Sequence, residues 1–307
     1  MVINEEVIRI VNSLVGEFET IKDHRNDSNR TGVLEINANN KRMFLKIHNR
    51  LSRWSPEVYA YKNWTHILGE YTPKLIHYFN DDNFYGIITI PIYGKTVNEY
   101  QINDEDILEP IYHKAGELLK QLHNNFEGTY FGIPAIDGSP LESNAKTNPV
   151  DYINSALEGI LKSGYDKGLL DNSDKELVEW CMKHSDVFVN SKPVPTNWDF
   201  SQNNWMVDEN AKFTGFIDFE NMLWGIDVDS FGIVIERYTP NRPKLRKALF
   251  EGYGLENSEE KQLQLKIVSV KIAIADITYG ASIGNARIFS LARNLLDNLK
   301  MPEFKIY

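Results

Sequence analysis

The chain has 307 residues, of which 42% are hydrophobic and 25% charged, and a formal net charge of -10. This composition fills a sizeable core and excludes a disordered chain, and the length suggests two folding units or one large bilobal unit. The acidic balance argues against nucleic-acid binding through a general basic surface and favours cationic ligands.

The first residues, Met1-Val2-Ile3-Asn4-Glu5-Glu6, have neither the basic nor the apolar region of a signal peptide. Val7, Ile10, Val11, Leu14, Val15 and Phe18 recur at helical spacing and predict a helix over 4–18. A polar stretch, 22–30, follows. Two strand-like runs, 33–36 and 43–47, flank Asn37-Ala38-Asn39-Asn40, which reads as a hairpin turn. Ser55 as N-cap and Pro56 at the first helical position predict a second helix, with Gly69 as its stop. Strands are expected at 75–79 and 85–90, and Pro91-Ile92-Tyr93-Gly94 then breaks the pattern. A hinge here divides the chain into an N-terminal lobe, 1–93, and a mainly helical C-terminal lobe, 94–307.

Leu108, Ile111, Ala115, Leu118, Leu119 and Leu122 mark one face of a helix over 105–123, which ends in a solvated His123. Residues 127–150 read as a long loop, and helices follow at 151–163 and 173–184. Cys181, the single cysteine, lies in the second of these and reads as a small buried apolar group. One cysteine excludes an internal disulfide and fits a reducing, cytoplasmic setting. Pro193-Val194-Pro195 predicts irregular backbone. A small hairpin, Trp205–Val207 and Phe213–Ile217, comes next, and the chain from 228 onward is almost entirely helical. No apolar run approaches the roughly 20 residues that span a bilayer, so no membrane partner is expected. The element order indicates an α+β protein of two lobes rather than a doubly wound sheet.

Asp199 is followed five residues later by Asn204, which opens the hairpin; the return strand ends at Ile217-Asp218-Phe219-Glu220. A hairpin this short brings its ends together, so Asn204 and Asp218 should be neighbours beside Asp199. Phosphoryl transfer needs a cradle for the phosphates, a holder for a cation and a group that orients the attacking hydroxyl. Mg2+ is a hard ion and takes oxygen ligands of the kind that Asn204 and Asp218 offer. Upstream, Lys46 lies inside an apolar strand. Glu57 shares an apolar helix face with Tyr61, Trp64 and Leu68, so its carboxylate points inward and needs a cation. Lys46 is the obvious partner.

The loop and hairpin resemble the catalytic region of the protein-kinase-like small-molecule phosphotransferases, the group of aminoglycoside and macrolide phosphotransferases and choline kinases. There the loop reads His-x-Asp, four residues, then Asn, followed by a hairpin and Ile-Asp-[Phe/Trp]-[Glu/Asp]. The motifs cover about 197–231, and the order of elements matches over nearly the whole chain. The resemblance implies a bilobal kinase-like fold and transfer of the γ-phosphate of ATP to a small-molecule hydroxyl. It implies Asp199 as the base or hydroxyl-orienting group and Asn204 and Asp218 as Mg2+ ligands. Lys46, braced by Glu57, would contact the α and β phosphates, and Asp229 would buttress the loop. Ser28 and Asn29 would offer backbone N–H groups in the phosphate-covering segment. One departure is that Asn197 stands where the group has histidine. An aminoglycoside-type acceptor is the leading expectation. A metabolite kinase for choline, an amino alcohol or a sugar, and a nucleotide-binding module with impaired catalysis, are the alternatives. Glu220, Asp227, Glu236 and Asp276 are expected near the cleft, where a field of one sign would attract a cationic acceptor.

Overall fold

The computed structural model describes residues 5–24, 31–81, 84–301 and 304–306. It is α+β. Helix α1 (Glu5–Val15) leads into a five-stranded antiparallel sheet made of β1 (Phe18–Asp23), β2 (Thr31–Ala38), β3 (Lys41–His48), β4 (Lys74–Asn80) and β5 (Tyr85–Ile90), in the order β1-β2-β3-β5-β4. Helix α2 (Leu51–Asn63) runs between β3 and β4. Val7, Val11 and Val15 of α1 pack with Leu34, Ile36, Met43, Leu45 and Ile88 in a small core of their own. Strand β1 escaped the sequence reading because it is an edge strand with mostly exposed side chains, and so lacks alternation.

Helix α2 begins four residues before the expected Ser55 cap. Arg50 is the extended residue preceding it, and Pro56 lies inside the helix. The extra turn is held by burial of Trp54, whose indole N–H donates to the Gly86 carbonyl at 3.0 Å. Ser55 uses its hydroxyl on the Pro134 carbonyl, at 3.3 Å, and not as a cap. Glu57 is thereby carried into the second turn, facing the sheet.

The rest of the chain is mainly helical: β6 (Lys95–Thr96), α3 (Glu105–Asn125), α4 (Pro149–Asp166), α5 (Asn172–Lys183), then β7 (Val194–Asn197), β8 (Trp205–Val207), β9 (Phe213–Phe216) and β10 (Met222–Gly225), then α6 (Pro243–Tyr253), α7 (Glu259–Ser282) and α8 (Ala286–Leu299). No helix among the described residues is long and apolar enough to cross a membrane. Strands β6, β8 and β9 form one antiparallel sheet. The prolines at 193 and 195 do not prevent β7 from pairing with β10, because this ribbon has only two strands and a proline can face its open edge. The larger core runs from Ala60, Trp64 and Leu68 of the first third through α3 and the β7–β10 region to α7 and α8. Trp64 meets Trp224 edge-on at 4.8 Å and so ties the end of α2 to β10. His123 is buried, not solvated; its Nδ1 is 2.8 Å from the Tyr253 hydroxyl, and burial pushes its pKa down to about 4.

Helices α3 and α6 cross at backbone contact. A methyl group at Gly116 would lie 2.3 Å from the Leu249 carbonyl oxygen, and one at Gly252 would lie 2.0 Å from the His113 carbonyl oxygen. Neither obstacle is a movable side chain. Gly252→Ala is therefore expected to destabilise the fold by about 1–3 kcal/mol or more, read as a lower denaturant midpoint. An unchanged midpoint would mean that the helices can separate at no cost.

Candidate active site

Strand β3 places Lys46 and His48 two residues apart, hence on one face. The Lys46 ammonium lies 2.9 Å from Glu57 Oε2, 2.7 Å from Asp218 Oδ1 and 3.0 Å from Glu220 Oε2. The expected Lys46–Glu57 pair is formed. The same ammonium also binds Asp218, a direct contact that spacing did not suggest. His48, fully buried, lies with Nε2 2.8 Å from Glu57 Oε2 and Nδ1 3.7 Å from Glu220 Oε2. Sequence reasoning assigned it nothing, although its position two residues beyond Lys46 on a buried strand was a usable signal.

The charges follow from this arrangement. Burial opposes ionisation of Glu57, but the Lys46 charge and the His48 hydrogen bond outweigh it and hold the carboxyl at about 2. Lys46 is raised well above its ordinary value: burial opposes the charge, and Asp218, Glu57 and Glu220 together override it. Asp218 is raised, chiefly by burial against the pull of Lys46, and Glu220 is lowered because Lys46 overcomes its burial. Three carboxylates share one ammonium, and Asp199 adds a fourth acid nearby. The cluster is all-oxygen on its acidic side and short of positive charge, which is what a hard divalent cation requires of its site. His48, Glu57 and Glu220 could also bring ligand atoms within 4.8 Å of one another, but Lys46 already stands among them.

The hairpin performs as its length predicts. The Ile217 amide donates to the Asn204 carbonyl at 2.9 Å, closing the open end and setting Asn204 across from the residue before Asp218. Asp218 itself has φ +64, a left-handed conformation costly for a residue with a side chain. The Asn204 amide donates to Asp199 Oδ2 at 3.0 Å and to the Asp199 carbonyl at 2.9 Å. The Ser201 hydroxyl donates to Asp199 Oδ1 at 3.3 Å. Burial raises the Asp199 pKa despite these donors. Trp198, beside it, is exposed.

Asn197, the departure from the expected histidine, braces this loop from both sides. Its Oδ1 accepts the Asp199 amide at 2.8 Å, and its Nδ2 donates to the Asp218 carbonyl at 3.4 Å. Its own amide donates to Ser230 Oγ at 3.1 Å. Asp229 is buried as expected, and its hydrogen bonds among the described residues go to side chains and backbone outside Asn197–Asn204. It pairs with Lys271 and accepts from the Tyr152 hydroxyl and the Ile226 amide, each at 3.1 Å. The loop contact from this segment belongs to Ser230. Ser28 and Asn29 lie outside the described residues.

Three of the four acids expected to attract a cation are paired with a basic side chain, and the fourth is buried. Glu220 is held by Lys46, Asp227 by Lys261 at 2.8 Å, and Asp276 by Arg237, whose Nε lies 2.8 Å away. Glu236 is fully buried in a π-turn, Val234–Tyr238, and neither carboxyl oxygen meets an N–H or O–H donor among the described residues. Burial, then the charge of Asp276, pushes its pKa up to about 10.

With this geometry established, its relatives can be named. A family match makes the protein a phosphotransferase. A model described as the phosphotransferase enzyme family matches residues 22–264, more than half of the chain, and the chain belongs to that family. No curated protein matches the sequence. Among solved structures, a thermostable mutant of aminoglycoside phosphotransferase APH(4)-Ia, complexed with AMP-PNP and hygromycin B, superposes with a TM-score of 0.73 at 12% identity, covering 96% of this chain and 98% of that one. The gentamicin complex of APH(2")-IIa gives 0.64 at 18% identity over 96% of both chains. ADP-bound APH(2'')-Ib gives 0.63 at 18% identity, covering 96% of this chain and 97% of that one. At such identities the likeness establishes a shared fold.

Two outcomes test the site's construction. Asn197→Ala removes the brace and should lower turnover by about 10- to 100-fold, the usual effect of deleting an orienting partner, with little change in thermal stability; full activity would show that the loop holds itself. The second outcome concerns pH. The depressed Glu57 contributes stability that is present above its ordinary value of 4.5 and is lost as pH falls toward about 2. The raised Glu236 acts in the opposite sense, and stability is lost as pH climbs from 4.5 toward about 10. Glu236→Gln should therefore melt above the parent protein by a margin that widens with pH; parallel melting curves would show that Glu236 is ionised in the fold.

Proposed function

We propose that this protein transfers the γ-phosphoryl group of ATP to a hydroxyl of a small molecule, with Asp199 facing that hydroxyl. The observation that carries this reading is the meeting of Asp199, Asn204 and Asp218 at the end of one hairpin, within reach of the Lys46–Glu57 pair. Asp199 is buried, hydrogen-bonded on both oxygens and raised in pKa, so it can accept a proton as the nucleophile forms. In the step itself the acceptor oxygen forms a bond to the γ-phosphorus. The bond from that phosphorus to the ADP oxygen breaks, and the hydroxyl proton passes to the Asp199 carboxylate.

Asn204 and Asp218 would hold Mg2+, which when bound neutralises charge on the phosphates. Lys46 would turn from Asp218 toward the α and β phosphates when nucleotide enters, while Glu57 and His48 keep its strand and helix in register. The nucleotide part of this reading is supported by the AMP-PNP and ADP held by two structural neighbours. The single buried Cys181 accords with a reducing, cytoplasmic setting. The brace that Asn197 supplies favours an active enzyme over a binding module.

For the acceptor, an aminoglycoside-type molecule is supported by the hygromycin B and gentamicin of those neighbours. A metabolite that is not polycationic is favoured by a different observation, the pairing of Glu220, Asp227 and Asp276 with basic side chains and the full burial of Glu236.

Asp199→Asn should retain ATP binding while lowering kcat by roughly 10²–10⁴. Asp218→Ala should abolish the dependence of ATP affinity on Mg2+. Near-normal kcat in the first variant removes Asp199 from the chemistry, and Mg2+-independent ATP affinity in the parent protein removes the metal from Asp218.

A further inference from the structure

The π-turn Val234–Tyr238 follows directly on the segment whose Ser230 holds the catalytic loop. π-Turns insert an extra residue into a helix and are retained mostly where they aim side chains at a site. Here the turn presents Arg237 and Tyr238, both partly exposed, and buries Glu236 behind them. The Tyr238 hydroxyl has Ser201, Asp199, Arg237 and Arg287 as its electrostatic neighbours, and Arg237 is among the charges acting on Asp199. Helix α8, which begins at Ala286, packs against the same turn and supplies Arg287.

Arg237 is built into position. Asp276, from α7, accepts from its Nε at 2.8 Å and also from its Nη2. Glu236 Oε1 lies 3.6 Å from Nε, and burial pushes this carboxyl's pKa up. Of the five N–H donors of a guanidinium, the two bonds to Asp276 leave three, in the planar arrangement that suits a carboxylate or phosphate. Arg287 is exposed and has no ion-pair partner among the described residues. Arg237 is thus paired with Asp276 and keeps free donors, while Arg287 is exposed on the helix beside it.

We propose that Arg237 and Arg287 form an anion-binding subsite of the acceptor pocket, so that the hydroxyl compound phosphorylated here carries a carboxylate or phosphate. This rests on the phosphotransferase reading above and names the class of its acceptor. The anion docks against the free edge of Arg237, with Arg287 closing over it and the Tyr238 hydroxyl beside it, and its hydroxyl is left toward Asp199. The buried pair of Glu236 and Asp276 keeps the arginine from swinging away without attracting a cation of its own.

The test is an ATP-consumption assay over acceptors sorted by charge: glycerate and gluconate as carboxylates, glycerol 3-phosphate and glucose 6-phosphate as phosphates, glycerol and glucose as neutral compounds, and hygromycin B and gentamicin as cations. The highest kcat/KM should fall among the carboxylates or the phosphates, and the two groups separate those sources. Arg287→Met, an exposed change that the fold tolerates, should raise the KM of the preferred anion about 2- to 5-fold. Arg237→Met should raise it about 10- to 100-fold. The KM for ATP should not move in either variant, and Arg237→Lys should recover only part of the loss, because a lysine cannot bind in two-pronged fashion. Preference for a cationic or neutral acceptor, or an unchanged anion KM in both variants, would overturn the subsite while leaving the phosphotransferase reading intact. A fall in kcat shared by all acceptors in Arg237→Met, with acceptor KM unmoved, would assign that arginine to the transferring phosphate and also overturn the proposal. If no acceptor of any charge is consumed, the phosphotransferase reading fails, and the acceptor class fails with it.

Discussion

The ammonium of Lys46 sits against three carboxylates, one from helix α2 and two from the segment that follows β9. Burying that many charges is costly, and an ion pair in a protein interior repays its desolvation only when further hydrogen bonds complete it. His48 supplies such a bond to Glu57, and Thr31 donates to Glu220 at 3.4 Å. The consequence is geometric. Strand β3, helix α2 and the end of the β8–β9 hairpin cannot move independently without leaving a buried charge unpaired. The small sheet is thereby held to the segment that follows β9 through buried charges. The same cluster carries more negative than positive charge, so it is stable as a scaffold and still short of a cation.

Around it the backbone is held in conformations that a random loop would not adopt. Asp218 occupies the left-handed region, and its carbonyl is tethered by Asn197 while its preceding amide is tethered by Asn204. Strain of this kind persists only where neighbours over-determine it. Asn197 is the shared element, since its two amide atoms reach the Asp199 amide and the Asp218 carbonyl, and its own amide is anchored on Ser230. An asparagine can do this because it carries a donor and an acceptor on one short, rigid group.

Net charge alone does not describe the surroundings of individual acids. The chain is acidic overall, yet Asp227, Asp276 and Glu220 each sit beside a basic side chain, and burial pushes the Glu236 pKa up. Formal charge counts treat such groups as equal to solvated ones. Position and partner decide whether an acid contributes to the field a ligand meets.

Much of the site was legible before any coordinates. The period-3.6 patterns marked most helices, the alternating runs marked β2 to β5, and the spacing of Asp199, Asn204 and Asp218 across a short hairpin forced their meeting. Glu57 was legible as an inward acid because it shared a face with Tyr61, Trp64 and Leu68, even though the start of its helix was misplaced. These features are local: each rests on residues within about one element of one another, where backbone geometry alone fixes which side chains are neighbours. Edge strand β1 and the proline-bearing β7 were missed because pairing, rather than their own pattern, makes them strands. The remainder depended on contacts between residues far apart in the chain. Lys46 reaches Asp218 across 172 positions, Arg237 reaches Asp276 across 39, and Lys271 takes Asp229 across 42. No periodicity encodes such pairings, because they follow from how whole elements pack, and burial then decides which of the paired groups keep their charge.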